Sequence, residues 1–131
     1  MFVDASAVIA ILGGEDDANS LVQKLERAQR ALMSPLALYE TVAGLARKRD
    51  CSVEEAQALV DVFIEEARVE VVEISSTIGR AAIAAFAQYG KGRHKADLNM
   101  GDCFAYACAR IHGVPLLFKG NDFMHTDIDR G

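Results

Sequence analysis

The acidic residues with the strongest potential for chemistry are Asp4, Glu40, Asp102 and Asp122. Each stands near the end of a predicted strand or in the opening turns of a predicted helix. The carboxyl ends of parallel strands share one edge of a sheet, so these side chains are expected to converge there. Grouped carboxylates repel one another and resist burial, and such a group commonly holds a cation. All-oxygen ligands favour Mg²⁺ or Mn²⁺ over zinc.

Each of these acids also has an ordinary structural explanation. Asp4 or Ser6 could cap a short helix that runs through Leu12. Asp102 could be a first-turn acid that the helix dipole stabilises. Glu40 could be a solvated glutamate on the surface. The sequence by itself leaves these explanations open beside the shared site.

A metal held by carboxylates predicts a particular chemistry. Mg²⁺ bound in this way can activate water and stabilise the charge that develops when a phosphodiester is cleaved. The sequence has no Walker or dinucleotide-type glycine loop, and no serine lies in a nucleophile elbow. A metal-dependent nuclease is therefore the natural enzyme hypothesis.

Strands and helices alternate in the predicted order β-α-β-α-α-β-α-α-β, which indicates a single α/β domain over residues 1–131. Its largely parallel sheet would be flanked by helices. The capping signals are Ser34, Ser52 with Glu55, and Asn99. Predicted strands lie at 1–3, 31–34, 69–74 and 114–118, with a further short one at 126–128, and predicted helices at 15–27, 36–48, 52–67, 75–89 and 98–113. The faces predicted to be buried include Ile78, Ala82, Ile83 and Phe86 in the fourth helix and Phe104, Ala105, Cys108 and Ile111 in the fifth.

The charge balance restricts how a nucleic acid could bind. The chain has 19 acidic and 14 basic residues, a formal net charge of −5, which argues against a generic polyanion-binding surface. A nucleic-acid substrate therefore needs a local basic patch or a bridging metal. Two basic clusters are available, at 47–49 and in the loop 90–95. The predicted phosphate-backbone contacts within them are Arg47, Lys48, Arg93 and Lys95.

Nothing in the sequence indicates export or a membrane. The N-terminus has no basic region followed by an apolar run, and no apolar segment reaches spanning length. Cys51, Cys103 and Cys108 have no metal-ligand spacing, and the latter two fall in the apolar helix, as small core residues of a reducing compartment do. We expect a cytoplasmic protein.

Several stretches of the chain form a specific combination of motifs. They are Met1–Ala7, Tyr39–Thr41, Gly90–His94 with Leu98–Ala107, and Pro115–Phe123. The specific part is the Gly-Asp helix start combined with the Lys-Gly-x-Asp-Phe turn. With these stretches the chain resembles the VapC-type toxins of the PIN-domain superfamily, and the resemblance covers the whole chain in register.

The resemblance implies a PIN-like fold and an endoribonuclease that cleaves RNA with Mg²⁺ or Mn²⁺. It also implies a cognate VapB-like antitoxin, which wraps the toxin and blocks its site, and a toxin homodimer. Asp4, Glu40 and Asp102 match the three acidic positions of the family and would hold the metal. Ser6 matches a small hydroxyl residue that supports the site, and we group it with the substrate contacts.

The fourth acid departs from the family pattern. Many relatives carry it two residues before Asp122, where this chain has Gly120. Asp122 either takes over the catalytic role, acts through water or only caps the turn.

Two other classes of protein compete with the nuclease. A nuclease fold degraded to a binding module is disfavoured by the intact Asp4, Glu40 and Asp102. A phosphoryl-transfer receiver domain also gathers acids at strand ends. It would need an acid after the 31–34 strand, and none is present there.

Overall fold

Four short parallel strands form the sheet that organises this computed structural model, which describes residues 1–131. Their spatial order is β3-β2-β1-β4, and all three neighbouring pairs are parallel. Phe2 in β1 pairs with Leu32 on one side and Leu116 on the other. The predicted parallel sheet is thereby confirmed. The strands are β1 (Phe2–Val3), β2 (Ala31–Met33), β3 (Val69–Val71) and β4 (Leu116–Leu117).

Six helices cover the sheet, and the predicted caps start three of them. Ser34 Oγ accepts a hydrogen bond of 3.1 Å from the Ala37 N–H, and Ser52 Oγ accepts one of 3.0 Å from the Glu55 N–H. Asn99 caps the last helix in the same way. The helices are α1 (Ala5–Leu12), α2 (Ala18–Arg27), α3 (Pro35–Arg49), α4 (Val53–Glu66), α5 (Ser76–Tyr89) and α6 (Met100–His112).

The strands are shorter than the sequence predicts, and residues 126–128 form no strand. The last backbone pairing with the sheet lies further along the chain. The Leu116 N–H donates to the Asp129 carbonyl at 2.8 Å, and the Gly131 N–H donates to the Leu116 carbonyl at 3.2 Å. Helix α2, predicted at 15–27, begins three residues later than expected, at Ala18, and residues 15–17 lie in a loop.

The predicted inner faces of α5 and α6 are partly wrong. Ile83 and Phe86 are 69% and 42% exposed, and Ile111 is 47% exposed. Two of the four buried residues of α5 are alanines, Ala82 and Ala85, and such small residues let α5 lie close to α6. The larger side chains of Ile83 and Phe86 therefore lie on the outer face of α5. Apolar periodicity alone does not show which face of the helix is buried.

A core of 29 buried residues fills the space between the sheet and the helices. A second, small core of Leu45, Ala56 and Val60 joins α3 to α4. No helix is long and apolar enough to span a membrane. The two cores fix α1, α3 and α6 around the carboxyl ends of β1 and β4, where the predicted acids lie.

Candidate active site

Asp4 stands directly after β1 and caps α1. Its carboxylate accepts hydrogen bonds from the Ser6 N–H at 3.1 Å and from the Ser6 Oγ at 2.5 Å. Its own N–H donates to the Leu117 carbonyl at 2.9 Å. The residue is 6% exposed, and this burial raises the pKa of Asp4 although the Ser6 hydrogen bonds oppose it. Asp4 is thus both a helix cap and a buried acid at the sheet edge.

Ser6 connects Asp4 to the segment that follows β4. Its hydroxyl donates to Asp4 and accepts a hydrogen bond of 3.0 Å from the Lys119 N–H. Both functions of the hydroxyl are therefore engaged within the protein. The structure places Ser6 as a support for Asp4, while the substrate contact predicted for it stays a prediction.

Asp102 opens α6 within a reciprocal capping box. Its N–H donates to Asn99 Oδ1 at 2.9 Å, and its Oδ2 accepts from the Asn99 N–H at 3.1 Å. The cap bond uses one carboxylate oxygen and leaves Oδ1 for another ligand. Burial raises the pKa of Asp102 to about 7, and the charges of Asp4 and Asp122 add to the rise. The first-turn explanation is correct, but it accounts for only part of this residue's surroundings.

Glu40 reaches the same place from α3, and it fits there because residue 101 is a glycine. A Cβ atom built on Gly101 would lie 2.0 Å from Glu40 Oε2. Burial, followed by the charges of Asp4 and Asp102, raises the pKa of Glu40 to about 7. Glu40 is therefore half-buried beside two other acids, and the explanation of it as a solvated surface glutamate is wrong.

These three acids line one cleft of about 330 Å³. Arg47 also lines it, which places one of the four predicted cations at the acids. Asp122 is exposed and is not among the lining residues, but its charge raises the pKa of both Asp4 and Asp102.

The other predicted cations are distributed differently. Arg93 and Lys95 lie on the exposed loop that precedes α6, and the Arg93 guanidinium carbon is 5.1 Å from the centroid of the Phe86 ring. Lys48 Nζ is 3.2 Å from Glu15 Oε2, so its charge is already paired. Of the four, Lys48 is the least available to a phosphate.

The donor set can be tested against the metal that the sequence predicts. No group of three or more His, Cys, Asp or Glu side chains is arranged to hold a metal ion as these side chains stand. The chemistry of the cleft nevertheless fits a hard cation, because its donors are carboxylates and no histidine or cysteine lines it. Two of these carboxyls have a pKa of about 7 because burial and neighbouring negative charge disfavour their ionised form. A divalent cation would offset that repulsion.

Two features of the site were not predicted from the sequence. Gly101 makes room for Glu40, and the only local signal was a glycine directly before a first-turn acid. Glu15 pairs with Lys48 and Lys119, whose hydrogen bonds hold the pKa of Glu15 below its ordinary value. Nothing near Glu15 in the sequence pointed to this role, since its partners lie 33 and 104 residues away.

Comparison with known proteins places the chain in a family. The PIN domain family model matches residues 1–129. The chain is 41% identical over 128 residues to Ribonuclease VapC30 of Mycobacterium tuberculosis, covering 98% of this chain and 95% of that protein. It is 42% identical over 139 residues to a VapC ribonuclease of Rhizobium meliloti, covering 97% and 98% of the two chains.

Solved structures share the fold at low sequence identity. Mycobacterium tuberculosis VapC20, described as a Sarcin-Ricin loop cleaving toxin, superposes with a TM-score of 0.76 at 16% identity, covering 99% of this chain and 97% of that one. A chain of a toxin-antitoxin complex from Klebsiella pneumoniae gives a TM-score of 0.72 at 17% identity, covering 96% and 92%. From its sequence and its fold alike, this chain belongs to the PIN-domain family and is a relative of the VapC ribonucleases.

Proposed function

We propose that this protein is a divalent-metal-dependent endoribonuclease and the toxin of a VapBC-type toxin–antitoxin pair. The observation that carries the proposal is the convergence of Asp4, Glu40 and Asp102 on one cleft. The ribonuclease activity is supported by the names of relatives about 41% identical over nearly the whole chain. Mg²⁺ or Mn²⁺ is the proposed cofactor, with Asp4 and Asp102 as ligands and Glu40 bound directly or through water.

The bound ion would supply a Lewis acid and a more acidic water for attack on an RNA phosphodiester. The chain's own residues prepare the site for it. Ser6 fixes Asp4, the Asn99 cap fixes Asp102, and Gly101 admits Glu40. No such hydrogen bond holds the Glu40 carboxylate. We therefore propose that Glu40 acts as the general base and accepts a proton from the attacking water.

RNA would be held through its phosphates. Arg47 is exposed at the cleft itself, and Arg93 and Lys95 stand on the loop before α6. We propose these three as contacts to the RNA backbone, and we expect Lys48 to contribute least because its ammonium group already pairs with Glu15. For Asp122 we propose an outer role at the site, since its charge acts on Asp4 and Asp102 while its side chain lies outside the cleft lining.

Two protein partners follow from the same proposal. A cognate VapB-like antitoxin would cover the cleft, and a structural neighbour is described as part of a toxin-antitoxin complex. A second copy of this chain would pack on the outer face of α5 and α6, where Ile83, Phe86 and Met100 are exposed around a groove of about 350 Å³. That face of α5 suits an apolar contact because Arg80 is the only charged residue in the helix. The proposed place of action is the cytoplasm.

RNA cleavage by the purified protein tests the activity. We expect cleavage of an RNA pool with Mn²⁺ or Mg²⁺, none with EDTA, and none by Asp4→Asn. Asparagine keeps the helix cap of α1, so this variant should remain folded. A folded, metal-binding protein that cuts no RNA in the pool would instead favour a binding module.

A further inference from the structure

Glu15 shares its carboxylate between two lysines that come from distant parts of the chain. Lys48 belongs to the last turn of α3, and Lys119 follows β4. Lys48 Nζ lies 3.2 Å from Glu15 Oε2, and Lys119 Nζ contacts Glu15 Oε1. Lys119 Nζ is also 3.1 Å from Asp17 Oδ1. Two cations and two acids thus join three segments that are far apart in the sequence.

On one side, the Lys48 contact holds the helix that carries Glu40. The Lys48 side chain runs across Gly13, where a Cβ atom would lie 2.5 Å from Lys48 Cε. One residue on, the Arg49 guanidinium donates to the Leu12 carbonyl at 3.0 Å. The end of α3 is therefore fixed on the end of α1.

On the other side, the Lys119 contact holds the turn that carries Asp122. The Lys119 N–H donates to Ser6 Oγ at 3.0 Å, and Ser6 in turn donates to Asp4. Gly120 follows with φ +102°, a conformation that side chains rarely adopt. Beyond Asp122 the chain is anchored again by Phe123, which is 2% exposed. The turn thus has two anchors, and the Lys119 side chain is part of the first.

A simple surface ion pair would be the competing explanation, since exposed pairs contribute little to stability. The chain offers such a pair for comparison. Arg30 and Glu70 form it at 2.6 Å with 59% and 56% of their side chains exposed, whereas the Glu15 side chain is 23% exposed. The Arg30–Glu70 pair joins the residue before β2 to the middle residue of β3, and neither partner lines the acidic cleft, so Glu70 is the control.

We propose that Glu15 is a positioning residue of the acidic site. By holding Lys48 and Lys119 together, it sets the placement of Glu40 on α3 relative to Asp122 on the turn. This inference rests on the proposed metal-dependent function. It predicts that Glu15 acts on metal binding without touching the metal.

The test compares Glu15→Gln with Glu70→Gln in the full chain, first without metal. Hydrogen–deuterium exchange should become about fivefold faster in the 118–123 segment of Glu15→Gln and stay unchanged in Glu70→Gln. Calorimetric titration with Mn²⁺ should then show affinity about tenfold weaker in Glu15→Gln and unaltered in Glu70→Gln. Adding Lys119→Met to Glu15→Gln should weaken Mn²⁺ binding little further, because the two residues act as a unit.

Unchanged hydrogen–deuterium exchange at 118–123 in Glu15→Gln would overturn the proposal. Faster exchange together with a normal Mn²⁺ affinity would also overturn it, because the role of Glu15 would then be structural only. A similar change in Glu70→Gln would also overturn it. Failure of the unsubstituted protein to bind Mn²⁺ would refute the proposed metal site itself. That result is distinguishable from a Glu15 variant that binds Mn²⁺ normally.

Discussion

Replacing Glu40 by glutamine should stabilise the metal-free protein above pH 7. Burial and the charges of Asp4 and Asp102 raise the pKa of Glu40 from 4.5 to about 7 in the folded chain. Between these pH values the folded state retains a proton that the unfolded chain has released. The free energy of unfolding therefore falls as the pH rises through this range. Above it, folding bears the full cost of an ionised Glu40, and glutamine removes that cost.

The pKa of Glu40 sets an upper limit on the effect. The difference between 4.5 and about 7, at about 1.36 kcal/mol for each pKa unit, corresponds to about 3 kcal/mol. Glu40 is only half-buried, so solvent screening lowers the expected gain to about 1–2 kcal/mol. Glutamine has the shape of glutamate and should fit beside Gly101 without a cavity.

Urea unfolding in EDTA at pH 4 and pH 8 measures this effect. Glu40→Gln should raise the free energy of unfolding at pH 8 and leave it nearly unchanged at pH 4, where Glu40 is mostly protonated in both states. Mg²⁺ should stabilise the unsubstituted protein more than Glu40→Gln, because the variant lacks one proposed ligand. A Glu40→Gln variant that is neutral or destabilised at pH 8, or equally stabilised at both pH values, would refute the reasoning.

Three further outcomes follow from the structure. Gly101→Ala should leave the melting temperature nearly unchanged, since the atoms that the new methyl group meets are the end of the flexible Glu40 side chain, which can move. The same change should displace Glu40 and so lower the rate of RNA cleavage by about tenfold or more, as the loss of one positioned catalytic group does. Cleavage at the rate of the unsubstituted protein would contradict this. Arg47→Gln should weaken RNA binding across sequences and reduce the salt dependence by about one phosphate contact in anisotropy titrations; an unaltered salt slope would count against a phosphate contact. Ile83→Glu should convert the proposed dimer to a monomer in light scattering, and a variant that stays dimeric would exclude the α5–α6 face as the interface.

Short-range signals explain what could be predicted from the sequence. Asn99 and Gly113 bound the last helix as expected, with the Asn99–Asp102 capping box at its start and Gly113 at φ +65° at its end. The position of Asp4 at the end of the first strand could be predicted because the apolar strand before it and the helix cap after it are local features. The parallel order of the sheet followed from the alternation of strands and helices.

Long-range packing explains what could not be predicted. The buried face of α5 is determined by its close packing against α6. This packing leaves Ile83 on the exposed face of the helix. The contact of Glu40 with Gly101 joins residues 61 positions apart. Glu15 is the first residue of the helix predicted at 15–27, and only the tertiary structure shows the two lysines that it contacts.

The central claim is that Asp4 and Asp102 hold a divalent cation, and a calorimetric titration of the purified protein with Mn²⁺ tests it most directly. Asp4→Asn and Asp102→Asn are suitable variants because asparagine can still accept both capping hydrogen bonds, and Glu70→Gln is the matched control. We predict that the unsubstituted protein and Glu70→Gln bind Mn²⁺ alike, and that either asparagine variant loses the binding. Equal Mn²⁺ affinity in all four proteins, or no binding by the folded unsubstituted protein, would contradict the claim.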